Sequence, residues 1–186
     1  MHSVALVLAP GFEEVEAMAP FAILQRASIP VTLYSLNAGR VRSSKGAEIV
    51  VNRTIEEASI KDEHDVLVLP GGPGAKELAS SKCILDLALH FLESPNWLAA
   101  ICASPGLVLG PILDSSRTIT CFPGSEEAVS NARVDQSQEV IVDGNLITAR
   151  ASGSAILFAL KLVEILIDRK TRGEIVSNQL LYKDPA

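Results

Sequence analysis

The sequence predicts an α/β sandwich, a mostly parallel and doubly wound sheet with helices on both faces. Two observations carry this. Short, nearly continuous apolar runs alternate with longer runs of helical period along the whole chain. Strands that are apolar on both faces belong to parallel sheets covered on both sides. Composition agrees: 48% of the 186 residues are hydrophobic and 20% charged, a balance that suits the core of one domain spanning 1–186 and excludes a disordered chain.

The elements follow in order. Val4 to Ala9 is an apolar strand ended by Pro10-Gly11, and Glu13 to Ala27 is a helix with acids in its first turn, where the dipole favours them. Val31 to Ser35 alternates as a second strand, and Val41 to Val51 holds a hairpin or a pair of edge strands. Val66 to Leu69 is a buried strand stopped by Pro70-Gly71-Gly72; helical pattern then runs from Glu77 to Glu93, in one or two pieces. Leu98 to Ile101 is a strand ending at Cys102, Gly106 to Leu113 reads as helical and Thr118 to Thr120 as a strand. Asp143-Gly144 joins strands Glu139 to Val142 and Leu146 to Ala149 as a two-residue hairpin. Ser152 to Asp168 is the longest amphipathic helix, and a shorter one covers Arg172 to Leu180.

Charge and cysteine usage narrow the class. A net charge of -6 lacks the basic footprint that phosphate backbones require, so no nucleic-acid partner is expected. Three cysteines, an odd number, argue against a disulfide-stapled secreted scaffold and for reduced cytoplasmic thiols. The stretch MHSVALVLAPGFEEVE has no basic region before its apolar run, so no signal peptide is expected. Lys161 and Glu164 interrupt the most apolar late stretch, so no membrane span is expected either.

In a doubly wound sheet, ligands bind beyond the carboxyl ends of the strands. Three loops meet there: Pro10-Gly11-Phe12 with the acids after it, Pro70-Gly71-Gly72, and Cys102 itself. In Leu98-Ala-Ala-Ile-Cys102-Ala-Ser-Pro-Gly, a strand runs into a cysteine flanked by small residues, and a helix follows at once. This is the arrangement of a nucleophile elbow. There the thiol faces a helix start whose amides favour thiolate, and the Ala103 amide can bind an oxyanion opposite a second donor at Gly72. Against this stands the ordinary lot of a free cysteine, a small buried hydrophobe. Glu13 and Glu16 lie three apart on one helix face, with Glu14 pointing elsewhere. Such acids commonly just complement the dipole; one buried against a thiolate would instead hold its proton and act as a donor and shuttle. None of His2, His64 and His90 follows a strand at that edge, and no metal-ligand spacing is present. Cys83 reads as packing, and Cys121 as packing or a resolving thiol.

At these residues the chain resembles the ThiJ/PfpI superfamily, in the branch of the parkinsonism-associated deglycase and the bacterial ThiJ-like proteins. The likeness runs through Glu13, Glu14 and Glu16, then Leu69-Pro70-Gly71-Gly72, Ala99-Ala-Ile-Cys102-Ala103, Leu146-Ile-Thr-Ala-Arg150 and the helix with Phe158-Ala-Leu160. The resemblance implies a flavodoxin-like three-layer sandwich, a homodimer and a cofactor-independent site. In that site Cys102 is the nucleophile, Glu16 the protonated acid beside it, and Gly71, Gly72 and Ala103 the oxyanion and substrate-binding loop. Arg26 is implied to reach the site region across the dimer, Arg150 to bind anions near the interface, and Lys45 to match an arginine loosely. Two departures stand out: Phe122 occupies a position where the human member has histidine, and Ser104 replaces a glycine. The implied activity is that of a glyoxalase or deglycase on methylglyoxal, glyoxal or their early adducts. The alternatives are a stress-protective chaperone switched by oxidation of an exposed, low-pKa Cys102 to sulfinate, the family's thiazole-biosynthesis label, and a cysteine peptidase.

Overall fold

The computed structural model describes residues 2–55 and 60–179. Its main sheet is built from β1 (Val4–Leu8), β2 (Val31–Ser35), β5 (Val66–Leu69), β6 (Trp97–Ile101), β9 (Val140–Asp143) and β10 (Leu146–Ala149), in the order β2-β1-β5-β6-β10-β9. All neighbours are parallel except β9, which runs antiparallel to β10; the two-residue turn is Gly144-Asn145, one residue later than the Asp143-Gly144 read from the sequence, because Asp143 still pairs with Leu146. Counting only the parallel strands, the order is 2-1-3-4-5, so the direction of winding reverses beside β1. The crevice at that reversal lies outside the carboxyl ends of β1 and β5.

The continuous apolar runs are explained by alternation of side chains across two buried faces. Val4, Leu6 and Leu8 face the layer of α1 (Glu14–Arg26) and α5 (Ala155–Leu166), packing with Leu24, Phe158 and Leu162. Ala5 and Val7 face the layer of α3 (Ala75–Ser80) and α4 (Lys82–Glu93), with Ile84, Ala88 and Phe91. Each such burial stabilises by about 1.5–3 kcal/mol for a large aliphatic or phenylalanine side chain.

Several boundaries differ from the sequence reading. Glu13 lies outside its helix and caps it, its carboxylate accepting from the Glu16 amide at 2.8 Å. The 77–93 helix is two helices broken at Ser81, whose hydroxyl caps α4 at the Ile84 amide. After Cys102 the helix begins at Ala103, earlier than the predicted Gly106, and runs into a wide π turn, Pro105–Leu109, closed by Gly110 donating five residues back to the Pro105 carbonyl at 2.9 Å. The late helix starts at Ala155 after a 3₁₀ turn, Ser152–Ser154, and ends at Leu166. The last helix, α6 (Arg169–Gln179), begins three residues early, and its expected end at Leu180 lies outside the described residues. The 41–51 region is a hairpin of β3 (Gly39–Arg42) and β4 (Glu48–Val51).

Two further pieces escape periodicity, a short helix before β5 and the partner of the strand read at Thr118. A short helix α2 (Ile60–Glu63) precedes β5, and Thr118–Ile119 (β7) pairs in parallel with Arg133–Val134 (β8) in a separate two-stranded sheet. Among the described residues no helix is long and apolar enough to cross a membrane.

Candidate active site

The β1 and β5 loops are zipped together at the winding reversal. Gly74 N–H donates to the Gly11 carbonyl at 3.0 Å, and Glu13 N–H donates to the Gly71 carbonyl at 3.2 Å. Only glycine permits this approach. A Cβ on Gly71 would lie 2.6 Å from the Cys102 Cβ and 2.7 Å from Glu16 Oε2, while one on Gly72, at φ +80°, would lie 2.6 Å from the Gly11 carbonyl oxygen. The glycines therefore admit Glu16 and Cys102 to the same point.

Cys102 sits at φ +66°, the left-handed region that side chains avoid. Strain of this kind, about 1–3 kcal/mol, persists only where the surroundings hold it. They do so here: its N–H donates to the Ala149 carbonyl at 2.9 Å, and its carbonyl accepts from Phe122 N–H at 2.7 Å. The strands on either side thus dictate the sharp turn. The amides of Gly72 and Ala103 both point at the Cys102 sulfur, and its thiol donates to the Glu16 carboxylate.

Glu16 is 1% exposed. Burial pushes its carboxyl up to about 7, against the hydrogen bond from Cys102; the charge of Glu13 adds to the rise and the Gly71 amide opposes it. That amide donates to Glu16 Oε2 at 2.9 Å. The Gly71 N–H is thus committed to the carboxylate, which leaves Gly72 and Ala103 as the amides at the sulfur.

The thiol differs from the sequence expectation. Cys102 is 8% exposed, and burial pushes it up to about 12, helped by the neighbouring Glu16 carboxylate and offset in part by the Gly72 and Ala103 amides. The helical stretch that begins at Ala103 does place its amide on the sulfur, and burial outweighs it.

The remaining candidates divide. Glu14 leaves the site and grips the β3–β4 loop, accepting from the Ser43 and Ser44 hydroxyls at 2.5 and 3.0 Å and from the Lys45 amide at 2.8 Å. Lys45 thus meets α1 through its backbone. Arg150 directly follows β10 and is tied to the Gln136 carbonyl at 3.0 Å and to Glu139 at 3.6 Å. Arg26 is ten residues along α1 from Glu16, roughly 15 Å at helical rise. Within this chain it bonds Gln179 and the Ala22 carbonyl, away from Cys102. His64 is buried at the opposite end of β5, against the Tyr34 hydroxyl at 2.8 Å and Ser3 at 3.2 Å. Phe122, half exposed, is joined to the cysteine by its backbone.

Sequence reasoning assigned Ser104 no role beyond replacing a glycine, yet it is fully buried and donates to the Pro70 carbonyl at 2.6 Å. The signal available was its polar character among Ala, Cys and Pro at the elbow. Cys121 is fully buried, with Ser125 and Gln136 on its thiol, and Cys83 points toward the Ile55 carbonyl at 3.9 Å. Among the described residues no cluster of three or more His, Cys, Asp or Glu could hold a metal.

An α/β sandwich of this strand order, with a buried cysteine on a strained strand-to-helix turn and a glutamate against it, defines a narrow class of protein. The comparison with known proteins places it. The model of the DJ-1/PfpI family matches residues 2–165, and the chain belongs to that family. It is 34% identical to Protein dj-1beta of Drosophila melanogaster over 96% of this chain and 97% of that one. It is 32% identical to the glutathione-independent glyoxalase DJ-1 of Schizosaccharomyces pombe, over 88% and 91% respectively. The crystal structure of a DJ-1 superfamily protein from Salmonella typhimurium superposes with a TM-score of 0.90 at 30% identity, over 97% of this chain and 98% of that one.

Proposed function

We propose that the protein is a cofactor-independent glyoxalase, converting methylglyoxal or glyoxal and their early adducts to hydroxy acids at Cys102. The observation that carries this reading is the Glu16–Cys102 pair: a buried carboxyl raised to about 7, hydrogen-bonded by the thiol it would deprotonate. A group with that proton affinity serves as both base and acid near neutral pH. The glyoxalase name of the fission-yeast relative supports the same chemistry.

The steps balance as an internal redox reaction. Ionised Glu16 takes the thiol proton as sulfur adds to the aldehyde carbon, forming a hemithioacetal whose oxygen meets the Gly72 and Ala103 amides. Glu16 returns that proton to the oxygen. It then removes the C1 hydrogen to leave an enediolate; the hydroxyl proton passes from the C1 oxygen to the C2 oxygen, and Glu16 delivers its proton to C2, which leaves a 2-hydroxyacyl thioester at Cys102. Water releases the hydroxy acid and restores the thiol; C1 is oxidised, C2 reduced, and no external electron acceptor is needed. No histidine takes part, and the position implied for one carries Phe122. The second reading is a stress-protective protein switched by oxidation of Cys102 to sulfinate; turnover without oxidant favours the enzyme, and oxidation-dependent suppression of aggregation favours the switch. By the same resemblance we read the active form as a homodimer.

The test is methylglyoxal consumption with chiral detection of lactate, under reducing conditions, on wild type, Cys102→Ala and Glu16→Ala. Turnover in wild type and a loss of at least a hundredfold in both variants is expected. Lactate from Cys102→Ala at the wild-type rate would sink the reading.

A further inference from the structure

One buried hydroxyl near the site bonds neither reacting group directly. Ser104 is fully buried and donates to the Pro70 carbonyl at 2.6 Å, while the N–H of the same peptide group, at Gly71, donates to Glu16 Oε2 at 2.9 Å. A single amide thus accepts at its oxygen and donates at its nitrogen. Drawing electron density toward the carbonyl oxygen makes the N–H a stronger donor, and such chains reinforce one another in a low-dielectric interior.

The same bond has a second consequence. Ser104 belongs to the turn that follows Cys102, whereas Pro70 ends the strand whose loop carries Gly72. The hydroxyl therefore staples the elbow to the diglycine loop, the two segments whose amides at Ala103 and Gly72 meet on the Cys102 sulfur. The loop is held from its other side by Glu13 N–H on the Gly71 carbonyl, and Gly71 has no room for a Cβ. Two titratable groups act on Glu16: Cys102, which follows β6, and Glu13, the residue that caps its own helix.

We propose that Ser104 is a positioning residue of the Glu16–Cys102 pair: through the Pro70–Gly71 peptide it strengthens the hydrogen bond to the Glu16 carboxylate, and it holds the Ala103 and Gly72 amides on one sulfur. Only the consequence for rate rests on the glyoxalase reading. The effect on proton affinity stands apart from it.

The deciding experiment is a carboxyl-carbon NMR titration of Glu16 in the reduced protein, for wild type, Ser104→Ala and Ser104→Thr. Loss of the hydroxyl weakens the Gly71 donor, so the Glu16 inflection in Ser104→Ala is expected to rise by about half a pH unit. Threonine, which keeps the hydroxyl, is expected to restore the wild-type value. Methylglyoxal turnover should fall about tenfold in kcat in the alanine variant, with a smaller change in KM. If Ser104→Ala melts at a lower temperature and its Glu16 inflection does not move, Ser104 is packing only and the proposal is overturned. Should the alanine variant fail to fold, Ser104→Gly carries the same titration. A wild type that makes no lactate ends the glyoxalase reading alone, and the titration still decides the role of Ser104.

Discussion

Glu14 and Glu16, two residues apart in one helical turn, are pushed in opposite directions by their surroundings. Glu14 is held down to about 2, chiefly by the Ser43 hydroxyl with the Lys45 amide and Ser44 assisting, so its contribution to stability is present above the ordinary value of 4.5 and lost as pH falls through about 2. Glu16 is raised by burial to about 7. Between pH 4.5 and 7 the folded state therefore binds more protons at Glu16 than the unfolded chain, and stability falls as pH rises across that window. A shift of this size corresponds to about 3 kcal/mol at most. Glu16→Gln removes the titration. Relative to wild type it is expected to gain up to that amount between pH 5 and pH 8, read from urea unfolding at the two values. An identical wild-type-to-variant difference at both pH values would refute a raised Glu16. That Glu13 and Glu16 share a face while Glu14 turns away was legible from helical spacing. What Glu14 grips was not, because Ser43 and Ser44 are 29 and 30 residues distant in sequence.

The elements that build the site are held apart by one hydrogen atom at position 71. A methyl group there would overlap both Cys102 and Glu16. Gly71→Ala is expected to cost about 1–3 kcal/mol through overpacking and to lower methylglyoxal turnover at least tenfold. Gly153→Ala, where nothing lies within 4 Å of an added Cβ, is expected to leave both unchanged. Thermal unfolding and the lactate assay check the pair, and equal effects in the two variants would count against a packing origin. The diglycine and the strand before it were plain in sequence, as was the cysteine at the end of β6. The wide turn after Cys102 was not. Its course follows Gly106, which packs against the main chain at Ser125, a segment with no apolar period of its own. β7 was legible as the strand at Thr118, but its partner β8 was hidden for a related reason: the two residues Arg133–Val134 carry too little pattern to read.

For the molecule entire, the order of strands places the β1 and β5 loops together at the winding reversal, with β6 delivering Cys102 beside them. The homodimer implied by resemblance predicts sedimentation at twice the monomer mass at micromolar concentration, and a monomer under those conditions would remove it from the proposed function. It would also leave Arg26 bonded only within its own chain, to Gln179 and the Ala22 carbonyl. By itself, the sequence determined the layered α/β architecture and the identity of the site loops, because hydrophobic period, glycine and proline punctuation and the elbow motif are local signals; the pairing of Glu16 with Cys102 came only from the family resemblance. Only the tertiary structure decided the proton affinities of that pair, the commitment of the Gly71 amide to Glu16, the bond from Ser104 to Pro70 and the distance of Arg26 from the sulfur. Burial and long-range hydrogen bonds arise when segments dozens of residues apart are packed against one another, and no local pattern carries that information.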